Sequence, residues 1–187
     1  MVIPSKVLGG AELVNADGVL RRVGLKEGLR VVDFGCGGRA YFTLQAAKLV
    51  GKNGIVYAID ILKSSLKAVE DLARFYNLRN TKAVWADLEV SGSTKIDRES
   101  IDFVIITNLF FQTKKHQIIW QEVFRVLKTD GKVFVSDWSK SVSPLGPPLS
   151  MRVDPEKIKK IAQENGFSLV EEFSAGPYHF GQIFVKH

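Results

Sequence analysis

Two hydrophobic periods alternate along this chain: short apolar runs, and longer stretches in which apolar positions recur every three or four residues. Val31, Val32 and Phe34 form the first run, Ile55 to Ile59 the second and Ala83 to Ala86 the third; Ile101 to Thr107 and Lys132 to Asp137 are the fourth and fifth. Such runs predict strands covered on both faces, as in a parallel sheet. Between them, Ala40 to Leu49, Ser64 to Tyr76 and Lys114 to Leu127 predict helices with one apolar stripe, for example Leu66, Val69, Leu72, Ala73 and Tyr76. Asn15 is placed to cap a short helix from Ala16 to Val23 that Gly24 ends, so residues 1–27 form either a flap over a pocket or simple packing. Asp154-Pro155 is a capped helix start, and that helix runs to Gly166. Leu169 to Phe173 and Gln182 to Lys186 are separated by Gly176-Pro177-Tyr178-His179, which is too short for a crossover helix. The final pair is therefore an antiparallel hairpin.

The first strand breaks into Gly35-Cys36-Gly37-Gly38-Arg39-Ala40. Glycines let the backbone take conformations closed to other residues and approach a ligand closely, and the following helix turns its N-terminal amides toward the same crevice. The turn suits a nucleoside-containing cofactor. Gly35-x-Gly37-x-x-Ala40 also fits the pyrophosphate-binding fingerprint of dinucleotide folds, so two cofactor classes can claim it. Asp60 ends the second strand, where a carboxylate accepts both ribose hydroxyls or caps the next helix. Asp87 follows the third strand and either meets an adenine amine or starts a turn. Asn108-Leu109-Phe110-Phe111-Gln112 lies at the carboxyl end of the fourth strand, where ligands sit in open α/β sheets. His116 falls in the first turn of its helix and reads as an exposed helical residue.

Composition narrows the partners. The 187 residues suit one domain, 1–187, with Trp138 to Val153 as a long Ser, Pro and Gly-rich loop on the substrate side. The formal charge is +6, but the basic residues are scattered, with no block longer than pairs such as Arg21-Arg22, Lys114-Lys115 and Lys159-Lys160. That pattern reads as a solvated surface rather than a nucleic-acid footprint. Cys36 is the single cysteine, which excludes an internal disulfide and fits a small residue in a tight turn better than a nucleophile. No stretch is long and apolar enough to span a membrane, and Met1 to Gly10 lacks the apolar core of a signal peptide. A soluble, cytoplasmic protein is expected.

These motifs, in this order, resemble the class I S-adenosylmethionine-dependent methyltransferases from about Gly9 to Lys186. Asp33-Phe34-Gly35-Cys36-Gly37, the strand ending in Asp60, Ala86-Asp87, the strand from Asp102 to Asn108 and Val126 to Lys132 carry the resemblance. It implies a three-layer Rossmann-like sandwich with a seven-stranded, mostly parallel sheet in the order 3-2-1-4-5-7-6, strand 7 being antiparallel. It implies S-adenosylmethionine as cofactor and S-adenosylhomocysteine as product. Asp33 and Gly35, Cys36, Gly37 and Gly38 then contact the methionine part, Asp60 the ribose and Asp87 the adenine amine. Ile61 and Leu88 sandwich the ring, while Asn108 and Leu109 border cofactor and acceptor. Arg39 departs from the family, which has glycine there; its side chain pairs with the cofactor carboxylate, swings into solvent or crowds the site.

Methyl transfer from a sulfonium needs positioning and desolvation more than a dedicated base. No catalytic residue and no metal-ligand cluster stands out. Phe110, Phe111, Trp138 and Tyr178 are the candidate wall of an apolar acceptor pocket, which favours a small-molecule or lipid-like acceptor. Protein lysine or RNA methylation is motivated by the positive charge, and a non-catalytic cofactor-binding module by Arg39. A nicotinamide dehydrogenase is more distant, because its last strand runs parallel. The sequence leaves the oligomeric state open.

Overall fold

The computed structural model describes residues 13–187 apart from Val142. Its elements follow the chain as α1 (Ala16–Arg22), β1 (Arg30–Phe34), α2 (Tyr41–Val50), β2 (Ile55–Asp60), α3 (Lys63–Phe75), β3 (Thr81–Trp85) and β4 (Ile101–Thr107). A 3-10 turn at Phe110–Gln112 leads to α4 (His116–Val126), β5 (Leu127–Trp138), α5 (Pro155–Glu164), β6 (Phe167–Gly176) and β7 (His179–Lys186). The seven strands form one sheet in the order 3-2-1-4-5-7-6. Strands β1 to β5 pair in parallel, and β7 lies antiparallel between β5 and β6. This is the Rossmann-like methyltransferase topology that the motif order implies.

Alternation along the central strands builds two cores from one sheet. Val32, Val104, Ile106, Val133, Val135 and Phe184 face α4 and α5, where Trp120, Val123, Ile158 and Ala162 cover them. Val31, Phe103, Ile105, Phe134 and Ile183 face the other way, against α1 and α2. Both sets are almost fully buried, and each large apolar side chain contributes about 1.5–3 kcal/mol through removal from water. A strand with both faces covered has no reason to alternate polar and apolar residues, which explains the unbroken runs.

Several boundaries shift from those expected. Residues 128–131, which lie between the expected helix and the expected fifth strand, belong to the sheet: β5 already starts at Leu127, which pairs with Ile101, and the register slips before Phe103 meets Lys132. Asp130 there has φ 60°. The hairpin is tighter than expected, since Gly176 pairs with His179 and leaves Pro177-Tyr178 as the turn. Residues 1–12 of the N-terminal segment lie outside the described residues; within 13–27, α1 buries Ala16, Val19 and Leu20 in the core it shares with α2.

The strand order reverses between β1 and β4. From β1 the chain winds outward through β2 and β3, then returns to place β4 on the other side of β1. The carboxyl ends of β1 and β4 therefore open a crevice between connections that run in opposite directions.

Candidate functional site

The crevice is built from the backbone outward. After β1, Gly35 (φ 76°) and Gly37 (φ 64°) occupy the left-handed region that favours glycine. The Gly35 and Cys36 amides both donate to the Ile59 carbonyl, at 2.9 and 3.0 Å, which fastens the turn to the end of β2. A side chain on Gly35 would meet Leu109 at 3.1 Å, whereas one on Gly37 would enter open space. The left-handed position that starts α2 falls on Ala40 (φ 51°), and no side chain caps that helix. Arg39, in the family's third glycine position, is exposed and does not need a left-handed backbone.

Two carboxylates organise this turn. Asp60 accepts from the Gly37 amide through Oδ2 and from the Leu62 amide through Oδ1, both at 2.9 Å. One side chain thereby joins the glycine turn to the start of α3. Asp33 is fully buried at the end of β1; its Oδ2 accepts from the Thr43 hydroxyl at 2.6 Å, and Oδ1 has no partner. Burial pushes its carboxyl up to about 7, opposed by the Thr43 bond and reinforced by the neighbouring Asp60 charge. Burial, together with Asp33 and Asp60, also drives the Cys36 thiol well above its ordinary range, so it is not an activated nucleophile.

At the ends of β3 and β4, loops close the other sides. Asp87 accepts from the Glu89 amide at 2.9 Å, and the Trp85 indole donates to the Ile61 carbonyl at 2.8 Å. Asn108 holds φ 52°, and its Oδ1 accepts from His179 Nε2 at 3.1 Å. His179 is buried against Trp138, their rings 4.3 Å apart. Burial, then the Arg152 charge, lowers it to about 4, so the imidazole is neutral near pH 7. Asp137 is also buried and raised to about 7 by that burial; it accepts from the Trp138 and Phe111 amides and so fixes the turn after β4.

A cavity of about 600 Å³ fills the crevice. Gly35, Gly37, Gly38, Asp60, Ile61, Asp87, Leu88 and Leu109 all line it, so residues spread over four loops meet at one site. Asp33, Cys36 and Asn108 are not in its wall but stand behind it in the turns. Gln112, at the end of the segment after the fourth strand, lines it too, as do Leu62, Ser65, Glu89 and Thr113, which no motif singles out although most flank a motif residue by one to three positions.

A second cavity, of about 730 Å³, shares Glu89, Gln112 and Thr113 with the first. Phe110 and Phe111 reach it, but the four candidate aromatics do not form one wall. Trp138 is 1% exposed, roofed by Gly146, Arg152 and His179. Tyr178 sits half-buried in the hairpin turn and lines neither cavity. His116 corrects the expectation of an exposed residue: it is 4% exposed, and its Nε2 faces the Phe110 and Thr113 carbonyls at 2.9 and 2.8 Å. The 3-10 turn folds back over the start of α4 and covers it.

The loop from Trp138 to Val153 is held by one side chain. Arg152, 5% exposed, donates to the carbonyls of Pro147, Ser139, Ser141 and Leu145 at 2.8–3.0 Å. No carboxylate among the described residues pairs with it. Glu122 and Arg125 on α4 form a mostly buried ion pair that also binds Thr94, the Gly92 amide and the Ile96 carbonyl. This network orders the loop between β3 and β4. No helix among the described residues is long and apolar enough to cross a membrane.

A family model described as a methyltransferase domain matches residues 25–176. Over 131 residues the chain is 28% identical to (S)-coclaurine N-methyltransferase of Thalictrum flavum subsp. glaucum, covering 70% of this chain and 35% of that protein. It is 26% identical over 121 residues to demethylmenaquinone methyltransferase of Geobacillus sp. strain WCH70, covering 65% and 50%. The chain thus spans a third to a half of these curated relatives. The crystal structure of a SAM dependent methyltransferase from Aquifex aeolicus matches with a TM-score of 0.88 over 100% of both chains, at 24% identity. That last likeness concerns the fold.

Proposed function

The chain belongs to the methyltransferase-domain family, and from that premise we propose that it transfers a methyl group from S-adenosylmethionine to a small-molecule or lipid-like acceptor. The observation that carries this reading is the joining of the glycine turn to Asp60 in the wall of the first cavity. The Gly37 amide is bound to the carboxylate, and the space where a side chain would stand is left open. A cavity of about 600 Å³ is within the range for small-molecule sites. Its chemistry also fits: the glycines of the turn and the carboxylates Asp60, Asp87 and Glu89 line it together with apolar Ile61, Leu62 and Leu88.

Asp60 is assigned the ribose hydroxyls, Asp87 the adenine amine, and Ile61 and Leu88 the faces of the ring. Gly35 to Gly38, with Asp33 behind them, are assigned the methionine part, and Asn108 and Leu109 the border with the acceptor. The cofactor supplies an electrophilic methyl group on sulfur. The chain's residues hold the reactants together and exclude water, and such orientation can lower a barrier by about 7–11 kcal/mol. No general base is assigned, because Asp137 is engaged by backbone amides and His179 by Asn108. The relatives named for coclaurine and demethylmenaquinone support a small or lipid-like acceptor.

Calorimetry with S-adenosylmethionine and S-adenosylhomocysteine tests the cofactor. Both should bind, and Asp60→Ala should weaken them at least about tenfold, since a hydrogen bond to a charged group contributes about 1.5–3 kcal/mol. Tighter binding of NAD would overturn the cofactor assignment. A reaction of labelled cofactor with cell extract, fractionated into protein, RNA, lipid and small molecules, tests the acceptor. Label in protein or RNA would move the function to macromolecules; binding without any turnover would leave a cofactor-binding module.

A further inference from the structure

The second cavity carries more positive charge than its surroundings explain. Lys114, Lys115, Lys140, Arg152 and Lys157 line it, against only Glu89 and Asp154. Both carboxylates are already matched, Glu89 by Lys115 at 3.3 Å and Asp154 by Lys140 at 3.4 Å. The Arg152 guanidinium is spent on carbonyl oxygens. Lys114 and Lys157 have no anionic partner among the described residues. Five cations less two anions leave +3 around one cavity, half of the chain's formal +6.

The charge also stands where the backbone disfavours it. Helix N-termini attract anions and disfavour cations, yet α4 begins at Lys114-Lys115-His116 with no acidic residue in its first turn and no side-chain cap. Such a local misfit is expected where a ligand supplies the missing charge. His116 also lines the cavity, and its Nε2 is committed to the Phe110 and Thr113 carbonyls. Phe110, Phe111, Met151 and Val153 provide an apolar wall in the same space.

We propose that the second cavity is the acceptor site and that it takes an organic anion, a carboxylate or phosphate carried on an apolar body. The assignment as acceptor site rests on the methyltransferase reading; the anion site itself does not. Glu89, Gln112 and Thr113 belong to both cavities, so a molecule in the second lies against one in the first. A volume of about 730 Å³ with an aromatic wall suits a compact amphiphile. An extended RNA would call for a basic stripe across the surface, and the remaining basic residues are dispersed.

The probe is 8-anilinonaphthalene-1-sulfonate, an aromatic anion whose fluorescence rises in apolar sites, titrated with and without saturating S-adenosylhomocysteine. One saturable site should persist with the first cavity filled. Octanoate should displace the probe and 1-octanol should not. The double variant K114E/K157E should weaken binding at least tenfold. The control K26E/K52E, which makes the same charge change at exposed lysines away from this cavity, should leave it unchanged. Equal loss in both variants, no loss in either, or equal displacement by the acid and the alcohol would overturn the anion site, as would label found in RNA for the acceptor assignment. Failure of S-adenosylhomocysteine to bind the native protein would bring down the methyltransferase reading instead, and the titration would still decide the anion site.

Discussion

Replacing Asp33 by Asn should make the protein without cofactor more stable at alkaline pH while weakening its grip on the cofactor. Asp33 is fully buried, with its carboxyl raised from 3.8 to about 7. A carboxyl whose pKa is raised on folding binds more protons in the native state than in the unfolded state across that window. Stability therefore falls as pH rises from about 4 to 7 and stays reduced above it. At 1.36 kcal/mol per pKa unit, the ionised carboxylate costs the fold about 4 kcal/mol above pH 7, of which about 3 develops between pH 5 and 8.5. Asn keeps an acceptor for the Thr43 hydroxyl but places an amide donor where Oδ1 now has no partner, a cost of about 1–3 kcal/mol at every pH. Urea unfolding at pH 5 and 8.5 should show Asp33→Asn equal to or below the native protein at pH 5 and above it by about 1–3 kcal/mol at pH 8.5. Asp137 titrates in the same range but is present in both proteins, so it cancels in the difference. Parallel stability curves for the two proteins would refute the argument, as would unchanged affinity for S-adenosylmethionine.

Gly37→Ala should fold with a loss of about 1–2 kcal/mol for its left-handed backbone and no steric clash, and under the proposed assignment calorimetry should detect little cofactor binding, because the added methyl group would stand in the space assigned to the methionine part. Arg125→Met should cost about 3–5 kcal/mol by leaving Glu122 buried and unpaired; the urea midpoint reads this, and E122M/R125M should recover most of it. Burial pushes the Glu122 carboxyl up, but the bonds from Arg125 and Thr94 outweigh it and hold it below its usual value. The stability this pair contributes is therefore present at neutral pH and lost on acidification, and a pH dependence of opposite sign would contradict the pairing.

What could be read from the residues follows from how many constraints each obeys. The central strands were legible because burial on both faces permits only apolar runs, and the closing hairpin because Gly176 to His179 cannot hold a crossover. The glycine turn and Asp60 are legible as separate signals; that one carboxylate holds both the Gly37 and Leu62 amides is not, since the strand-end position of Asp60 suits a ribose ligand or a cap, and only the packed loops bring the turn and the start of α3 to the same side chain. Arg39 looked like a departure, but the left-handed conformation falls on Ala40, so the backbone tolerates a side chain there. His116 and His179 were missed for a different reason. The burial of His116 depends on the 3-10 turn folding back over the start of α4, and that of His179 on tertiary packing, its Asn108 contact crossing 71 positions; hydrophobic periodicity encodes neither. Trp138 was drawn into the candidate pocket by its place at a strand end, whereas a loop glycine and an arginine seal it into the core.

Arg152 gives the loop from Trp138 to Val153 a freedom to diverge. It grips four carbonyl oxygens, and every amino acid supplies one. Substitutions at Ser139, Ser141 or Leu145 can therefore change what the loop presents without removing what holds it. A lineage that keeps this arginine can change the surface of the loop by point mutation while the loop's path stays the same.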